Sequence, residues 1–453
     1  MPAKAISSAG ATKDLQRLVG QLLILGFEGT ELSTRSKTLI GGVQPGGIIL
    51  FARNIESPRQ THALLRSAQK LARDKLFLCL DLEGGTVDRL RDAVAPAPSV
   101  AEVAASHSQK LFREHGRLLG KAAWTLGFNV DFAPVLDLSS ELSRPVMTTR
   151  TASAFAEEAI VYARCFLRGL RAAGVLGCGK HFPGLGEASL DSHVQLPVVT
   201  KPWKRLWQED LLPYRSLKRE LPFVMVAHCA YPAVAGDKAS QAHAGRSGAS
   251  APPPQQTQLR RLLGAPVPPP QQTQLRRLLG APVPASLSRK WITGILRRKI
   301  GYNGLVVSDD LDMGGVQQAA DVGDAAVSTI QAGADIFLVC RSEENIWRAY
   351  NAVLAEAERS PRFRARVEEA ARRVLRFKTA SKTLQRAPAP PPSDSEVAKL
   401  RREMWEFREK LRLTAAAGAE SQSTAAVSRQ RRKDRPSPKG TLAPGVVKET
   451  VGL

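Results

Sequence analysis

Eight short apolar runs, separated by longer stretches with helical periodicity, constrain the fold of this chain more than any other feature. They are LLILGF (22–27), GGIILF (46–51), LFLCLD (76–81), FNVDFAPVLDL (128–138), LGCGKHF (176–182), PFVMVAHC (222–229), GLVVSDD (304–310) and ADIFLVC (334–340). Strands that read as continuous apolar runs are covered on both faces, and strands that alternate with helices pair in parallel through right-handed crossovers. Helical stretches at 56–74, 99–126, 153–174, 201–220, 286–300, 315–333, 343–357 and 362–383 supply the crossovers. With no Gly-rich GxGxxG turn after the first run, eight such units favour an α/β fold of the closed (β/α)8 type, the TIM barrel, over an open doubly wound sheet.

The polar residues support that closure. The third run ends in Asp81, Leu82 and Glu83, the fourth carries Asp131 and Asp137, the fifth ends in Lys180 and His181, the sixth in His228 and the seventh in Asp309 and Asp310. In a barrel the C-terminal strand ends meet at one mouth, where active sites are built. The expected constellation is carboxylates, imidazoles and an ammonium around one cavity.

Charge at first points elsewhere. The 453 residues hold 65 Lys and Arg against 42 Asp and Glu, a net +23, which usually indicates nucleic acid or an anionic surface. Its position along the chain changes that reading. Residues 240–300 contribute +10 with no acidic group, and residues 387–453 contribute +5. The first segment holds PPPQQTQLRRLLGAPV at 252–267, repeated identically at 268–283. Two copies of a sixteen-residue unit are too few for a solenoid and read as a duplication inside a surface loop, extended by its prolines. The second segment is a Pro-rich and then polar tail with one amphipathic stretch, where Val397, Leu400, Met404, Phe407 and Leu411 recur at spacings of three and four. Docking on its own domain and dimerisation both suit that stripe; a monomer is expected. The domains are thus a barrel over 1–386 with a Pro-rich insert at 240–285, and a low-complexity basic tail over 387–453 with a short helix at 395–412.

Five cysteines without CxxC spacing fit buried thiols better than disulfides or a zinc site. The N-terminal residues lack the apolar core of a signal peptide, and no run reaches the length of a membrane span. The expectation is a cytoplasmic protein with no membrane span.

Two motifs carry chemistry. KHFPGLGEASLDSHVQLP (180–197) places Lys180 and His181 at a strand end and then a Gly-rich loop bearing Asp191 and His193. A carboxylate near an imidazole can orient its ring and stabilise the imidazolium, as in acid/base dyads. VVSDDLDMGG (306–315) delivers Asp309 to the mouth, where a carboxylate can bind a metal, hold a substrate hydroxyl or attack an anomeric carbon. Asp310 and Asp312 read as a solvated or helix-capping pair at the start of the following helix.

Together with PGGIILFARN (45–54), LDLEGGTVDRL (80–90), GFNVDFAPVLDL (127–138) and MVAHCAYP (225–232), these motifs resemble glycoside hydrolase family 3. Within it they are similar to the bacterial β-N-acetylhexosaminidases of the NagZ type that act on peptidoglycan fragments. The segments occur in family order over roughly residues 15–383, apart from the insert. The resemblance implies a retaining, two-step hydrolysis with Asp309 as nucleophile and His193 as acid/base, its ring held by Asp191. Asp81, Arg89, Arg150, Lys180 and His181 are implied to bind the sugar. No cofactor and no metal are implied, and the partner is a carbohydrate, N-acetylglucosaminyl muropeptides. Where the family usually reads KHFPGHG, this chain has Leu185 in place of the second His. The shorter family members likewise lack a second α/β domain after the barrel.

Three alternatives stand beside this reading. A phosphorylase is one, because a His acid/base tolerates an anionic acceptor that a carboxylate would repel. A β-glucosidase of the same family is another. From a different class, a basic nucleic-acid-binding protein with an inactive barrel would explain the charge; against it, the basic residues are not interleaved with aromatics and no reader motif is present.

Overall fold

The computed structural model describes residues 8–143, 147, 149–188, 196–232 and 282–433, with side chains from residue 14 to 417. The insert as far as residue 281 lies outside these residues, as do Asp191 and His193. Eight parallel strands close into a barrel: β1 (Leu23–Leu25), β2 (Gly47–Ile49), β3 (Phe77–Leu80), β6 (Val130–Asp131), β7 (Leu176–Phe182), β8 (Phe223–Val226), β9 (Leu305–Asp310) and β10 (Ile336–Val339). Each falls inside one of the eight apolar runs. Closure is made by β1, which pairs with β2 on one side and β10 on the other.

A two-stranded antiparallel hairpin, β4 (Leu82–Gly84) with β5 (Val87–Asp88), follows β3 directly and is not anticipated from the sequence. Its turn requires left-handed backbone at Gly84 (φ 87°) and Gly85 (φ 62°). A Cβ at Gly84 would come within 2.1 Å of the Pro98 carbonyl oxygen, so only glycine fits. The helices Ser8–Gly20 and Thr34–Val43 are also additional to the expected set, and the stretches at 99–126, 201–220 and 315–333 each divide into two helices.

Alternation along the strands sorts the barrel lumen from the helix-facing layer. Phe77 and Cys79, Phe223 and Met225, Leu305 and Val307, and Ile336 and Leu338 join one buried cluster, whereas Val224, Val226 and Val306 belong to another. Side chains two apart share a face of a strand, so the lumen series continues upward from Cys79 to Asp81, from Cys178 to Lys180 and from Val307 to Asp309. The apolar lumen therefore ends in charged residues at the mouth. At the opposite end the helix Pro361–Ala380 closes the barrel: the Phe377 ring lies 6.2 Å from Phe77 and 5.4 Å from Phe223. Lys378 Nζ donates there to Gln21 Oε1 (2.8 Å) and to the Gly46 carbonyl (2.7 Å).

The chain splits into two compact units, Met1–Arg408 and Glu409–Leu453. In the first, the segment after the barrel runs back along its flank. The Arg386 guanidinium covers the Trp124 ring at 4.3 Å, His62 Nε2 lies 2.8 Å from the Ala389 carbonyl oxygen, and Arg59 Nε donates to the Pro392 carbonyl (3.1 Å). A helix then begins at Asp394. Val397, Leu400, Met404 and Phe407 are buried on it, with Phe407 stacked on His115 at 6.0 Å and Lys121 Nζ 2.6 Å from Glu403 Oε1. In the second unit the helix continues to Lys433, beyond the 395–412 span expected from periodicity.

Truncating a buried Phe leaves a cavity as well as losing transfer free energy. Phe407→Ala is expected to destabilise the protein by about 3–5 kcal/mol in urea unfolding. A loss below about 1 kcal/mol would mean that this helix unfolds independently of the barrel.

Candidate active site

Six of the eight residues singled out from the sequence, Asp81, Arg89, Arg150, Lys180, His181 and Asp309, line one cavity of about 410 Å³ at the mouth of the barrel. The other two, Asp191 and His193, lie outside the described residues. The cavity floor is a buried ion cluster. Lys180 Nζ stands 2.8 Å from Asp81 Oδ1 and 2.7 Å from Glu83 Oε1. Arg150 donates two parallel bonds to Glu83, Nε to Oε2 and Nη2 to Oε1, both 2.8 Å. Arg89 Nη2 lies 3.9 Å from Asp81 Oδ2.

Burial alone would raise the Glu83 carboxyl, but the Arg150 guanidinium and the Lys180 ammonium outweigh it and hold the group far below the usual carboxylate range. Burial likewise pulls against the Lys180 ammonium, and Asp81 and Glu83 together push it above its ordinary value. Glu83, Lys180 and Arg150 are therefore all charged at neutral pH.

Lys180 and His181 are neighbours yet both line the cavity. The register of β7 against β8 shifts between Gly179 and Phe182, an irregularity of the kind that re-aims a side chain. His181 Nδ1 is 2.7 Å from Asp137 Oδ2, and Asp137 Oδ1 accepts the Leu185 backbone N–H at 2.8 Å. One buried carboxylate thus orients the imidazole and anchors the root of the loop that leads to Asp191 and His193. Leu185 itself is buried and lines the cavity, so the position where the family usually has a His is an apolar wall here.

On the far side, Asp309 Oδ1 accepts the Asp310 backbone N–H (2.8 Å). Asp310 and Asp312 depart from the expected solvated or capping pair. Both are buried: Asp310 Oδ1 accepts from the Asp312 and Cys340 N–H groups, each at 3.0 Å. Asp312 Oδ2 accepts from the Arg341 N–H (2.8 Å), and its Oδ1 from Asn345 Nδ2 (2.7 Å). They tie the end of β9 to the end of β10, while the helix Gly314–Gln317 has no side-chain cap.

Three polar residues expected at the mouth, Asp137, His228 and Asp131, do not line it. His228 is fully buried in a bridge from Ser286 Oγ (2.7 Å) to the Asp310 carbonyl (2.9 Å). Asp131, between the lumen residues Val130 and Phe132, accepts the Leu82 N–H at 3.0 Å, and burial drives its carboxyl well above the ordinary value. In the other direction, the sequence places Glu83 and Asp137 at strand ends but indicates no particular partner for either. Glu83 continues the alternation from Cys79 through Asp81, a signal that was there to be read. Asp137 carries none, because its partners lie 44 and 48 residues away.

Burial, reinforced by Asp312 and Asp309, raises the Asp310 carboxyl to about 7. Between the ordinary carboxylate value and about 7 the folded protein keeps a proton that the unfolded chain has released, so stability falls as pH rises through that window. Asp310→Asn keeps an acceptor oxygen without the charge. Urea unfolding of both proteins should show the variant gaining on the parent by up to roughly 4 kcal/mol between about pH 4 and pH 8, then levelling. A difference that does not change with pH would contradict this assignment.

Comparison with known proteins agrees with this architecture. The model of the glycosyl hydrolase family 3 N-terminal domain matches residues 14–246 and 271–377. A β-hexosaminidase of Pseudomonas aeruginosa is 32% identical over 319 residues, covering 70% of this chain and 82% of that protein. A β-hexosaminidase of Bordetella pertussis is 32% identical over 329 residues, covering 71% and 80%. Among solved structures, a family 3 β-N-acetylglucosaminidase from Paenibacillus sp. superposes with a TM-score of 0.70 at 30% identity, over 87% of this chain and 68% of that one. With its closed eight-stranded barrel and mouth-facing charged cluster, the chain belongs to glycosyl hydrolase family 3.

Proposed function

We propose that this protein is a retaining, exo-acting β-N-acetylglucosaminidase that removes terminal non-reducing N-acetylglucosamine from peptidoglycan-derived fragments. The observation that carries the reading is the placement of Asp309 in the same cavity as Asp81, Arg89, Arg150, Lys180 and His181. The β-hexosaminidase relatives support an amino-sugar substrate, and the β-N-acetylglucosaminidase from Paenibacillus sp. supports the choice of N-acetylglucosamine.

In the proposed mechanism the terminal sugar enters with its hydroxyls toward the ion cluster. Asp81, Lys180 and His181 hydrogen-bond those hydroxyls, and Arg89 and Arg150 complete the pocket. Charged partners strengthen such bonds as the oxocarbenium-like transition state forms. Because the cluster is already paired, it meets that state with little reorganisation. Asp309 attacks the anomeric carbon while His193, oriented by Asp191, protonates the departing oxygen. The glycosyl–enzyme ester is then opened by water, which His193 deprotonates. His193 is the imidazolium when it acts as acid and the neutral imidazole once its proton is given, when it acts as base, and neither form places a second permanent carboxylate beside Asp309.

The test is turnover of a chromogenic β-N-acetylglucosaminide with retention at the anomeric carbon. Asp309→Ala is expected to lower kcat by at least about a thousandfold, and His193→Ala by about 10²- to 10⁴-fold with loss of one limb of the pH profile. A parent enzyme no faster than the Asp309→Ala control overturns the proposal. Rates with and without phosphate separate hydrolysis from phosphorolysis.

A further inference from the structure

Three arginines stand around the outer part of the cavity: Arg53, Arg89 and Arg341. Two of them are committed. Arg53 Nη2 donates to the Cys340 carbonyl (2.6 Å), its Nε is 2.9 Å from Glu28 Oε1, and its guanidinium covers the Phe51 ring at 4.7 Å. Arg89 lies between Asp81, 3.9 Å away, and the other side of the Phe51 environment, 5.7 Å from its centroid. Arg341 differs. Its backbone is fixed, since its N–H donates to the buried Asp312, but among the described residues its guanidinium has no ion pair or hydrogen bond. It follows directly on β10, which pairs with the strand that bears Asp309.

Depth sorts the two charge groups. The Lys180 and Glu83 side chains are 3% and 1% exposed, whereas Arg341 is exposed at the rim. For an enzyme that takes the terminal sugar into the buried cluster, the rim is where the leaving group, and later the incoming acceptor, must stand. A cation there without a partner among the described residues is placed to take an anion supplied from outside, and guanidinium geometry suits carboxylate and phosphate oxyanions.

We propose that Arg341 forms an oxyanion subsite on the leaving-group side of the cavity, selecting N-acetylglucosaminides whose second unit carries an acidic group. This rests on the N-acetylglucosaminidase reading above and adds a specificity-determining residue to it. The same chemistry would hold a free phosphate as acceptor, and the two sources are separable by experiment.

The test uses the full-length protein and a pair of disaccharides that share a non-reducing N-acetylglucosamine. In one the second sugar bears a carboxylate, and in the other the same group is its neutral amide. The kcat/KM ratio of acid to amide is expected to be about tenfold for the parent, as for one charge-assisted hydrogen bond at an exposed site. It should fall to about one in Arg341→Gln, be partly kept in Arg341→Lys, and shrink as salt rises. In a second arm, inorganic phosphate is added and sugar 1-phosphate is measured. Phosphate-dependent product that is lost in Arg341→Gln would assign the subsite to the acceptor. A parent ratio near one together with no phosphate effect overturns the proposal, as does a ratio that survives in Arg341→Gln. An enzyme that turns over neither disaccharide nor the chromogenic glycoside overturns the functional reading, and this inference with it.

Discussion

Lys180 places an ammonium where almost no water reaches, and the mouth of the barrel is arranged around the need to compensate it. A buried charge costs several kcal/mol unless it is paired and hydrogen-bonded. Asp81 and Glu83 do this at 2.8 and 2.7 Å, and Glu83 is then matched by the two parallel bonds from Arg150. The cluster draws on three stretches of chain: the end of β3 with its hairpin, the loop around Arg150, and β7. None of these can move without exposing an unpaired charge, so the interaction that makes the floor polar also makes it rigid. A polar floor held in advance is what a site for sugar hydroxyls requires.

The hairpin β4–β5 shows how this constraint reaches outward. It carries Glu83, and its Gly84 packs against the Pro98 carbonyl and 3.2 Å from His115 Nε2, measured from the place a Cβ would take. His115 in turn stacks on Phe407 of the C-terminal helix. The segment that follows the barrel is thus part of the same packed unit as far as Arg408, although its composition resembles a tail. The opening charge is redistributed by the same view. Residues 240–300 and 387–453 carry most of the +23, and among the described residues the cations lining the mouth are paired with particular carboxylates, apart from Arg341.

Much of the fold was legible because its signal is local. Each apolar run became a strand, since a buried parallel strand needs only a continuous apolar segment flanked by helices. The hairpin was missed because LEGGTVD is too short and too polar to read as two strands, and its pairing depends on left-handed glycines. Asp310 and Asp312 were misread for a related reason. At the start of a helix an Asp is usually a cap, and nothing nearby in sequence reveals that, besides the Asp312 N–H, the N–H groups these two accept lie at residues 340 to 345.

The sequence by itself determined the eight-unit order, the lumen parity of Asp81, Lys180 and Asp309, and the motifs that carry the family resemblance, because these depend on periodicities of two and 3.6 along one chain. Tertiary structure alone decided which charges pair. It put His228 and Asp131 away from the cavity, gave Asp137 the task of orienting His181, and left Arg341 without a partner among the described residues. Pairing energies depend on distance and on exclusion of water, and both are fixed only when strands remote in sequence are brought side by side.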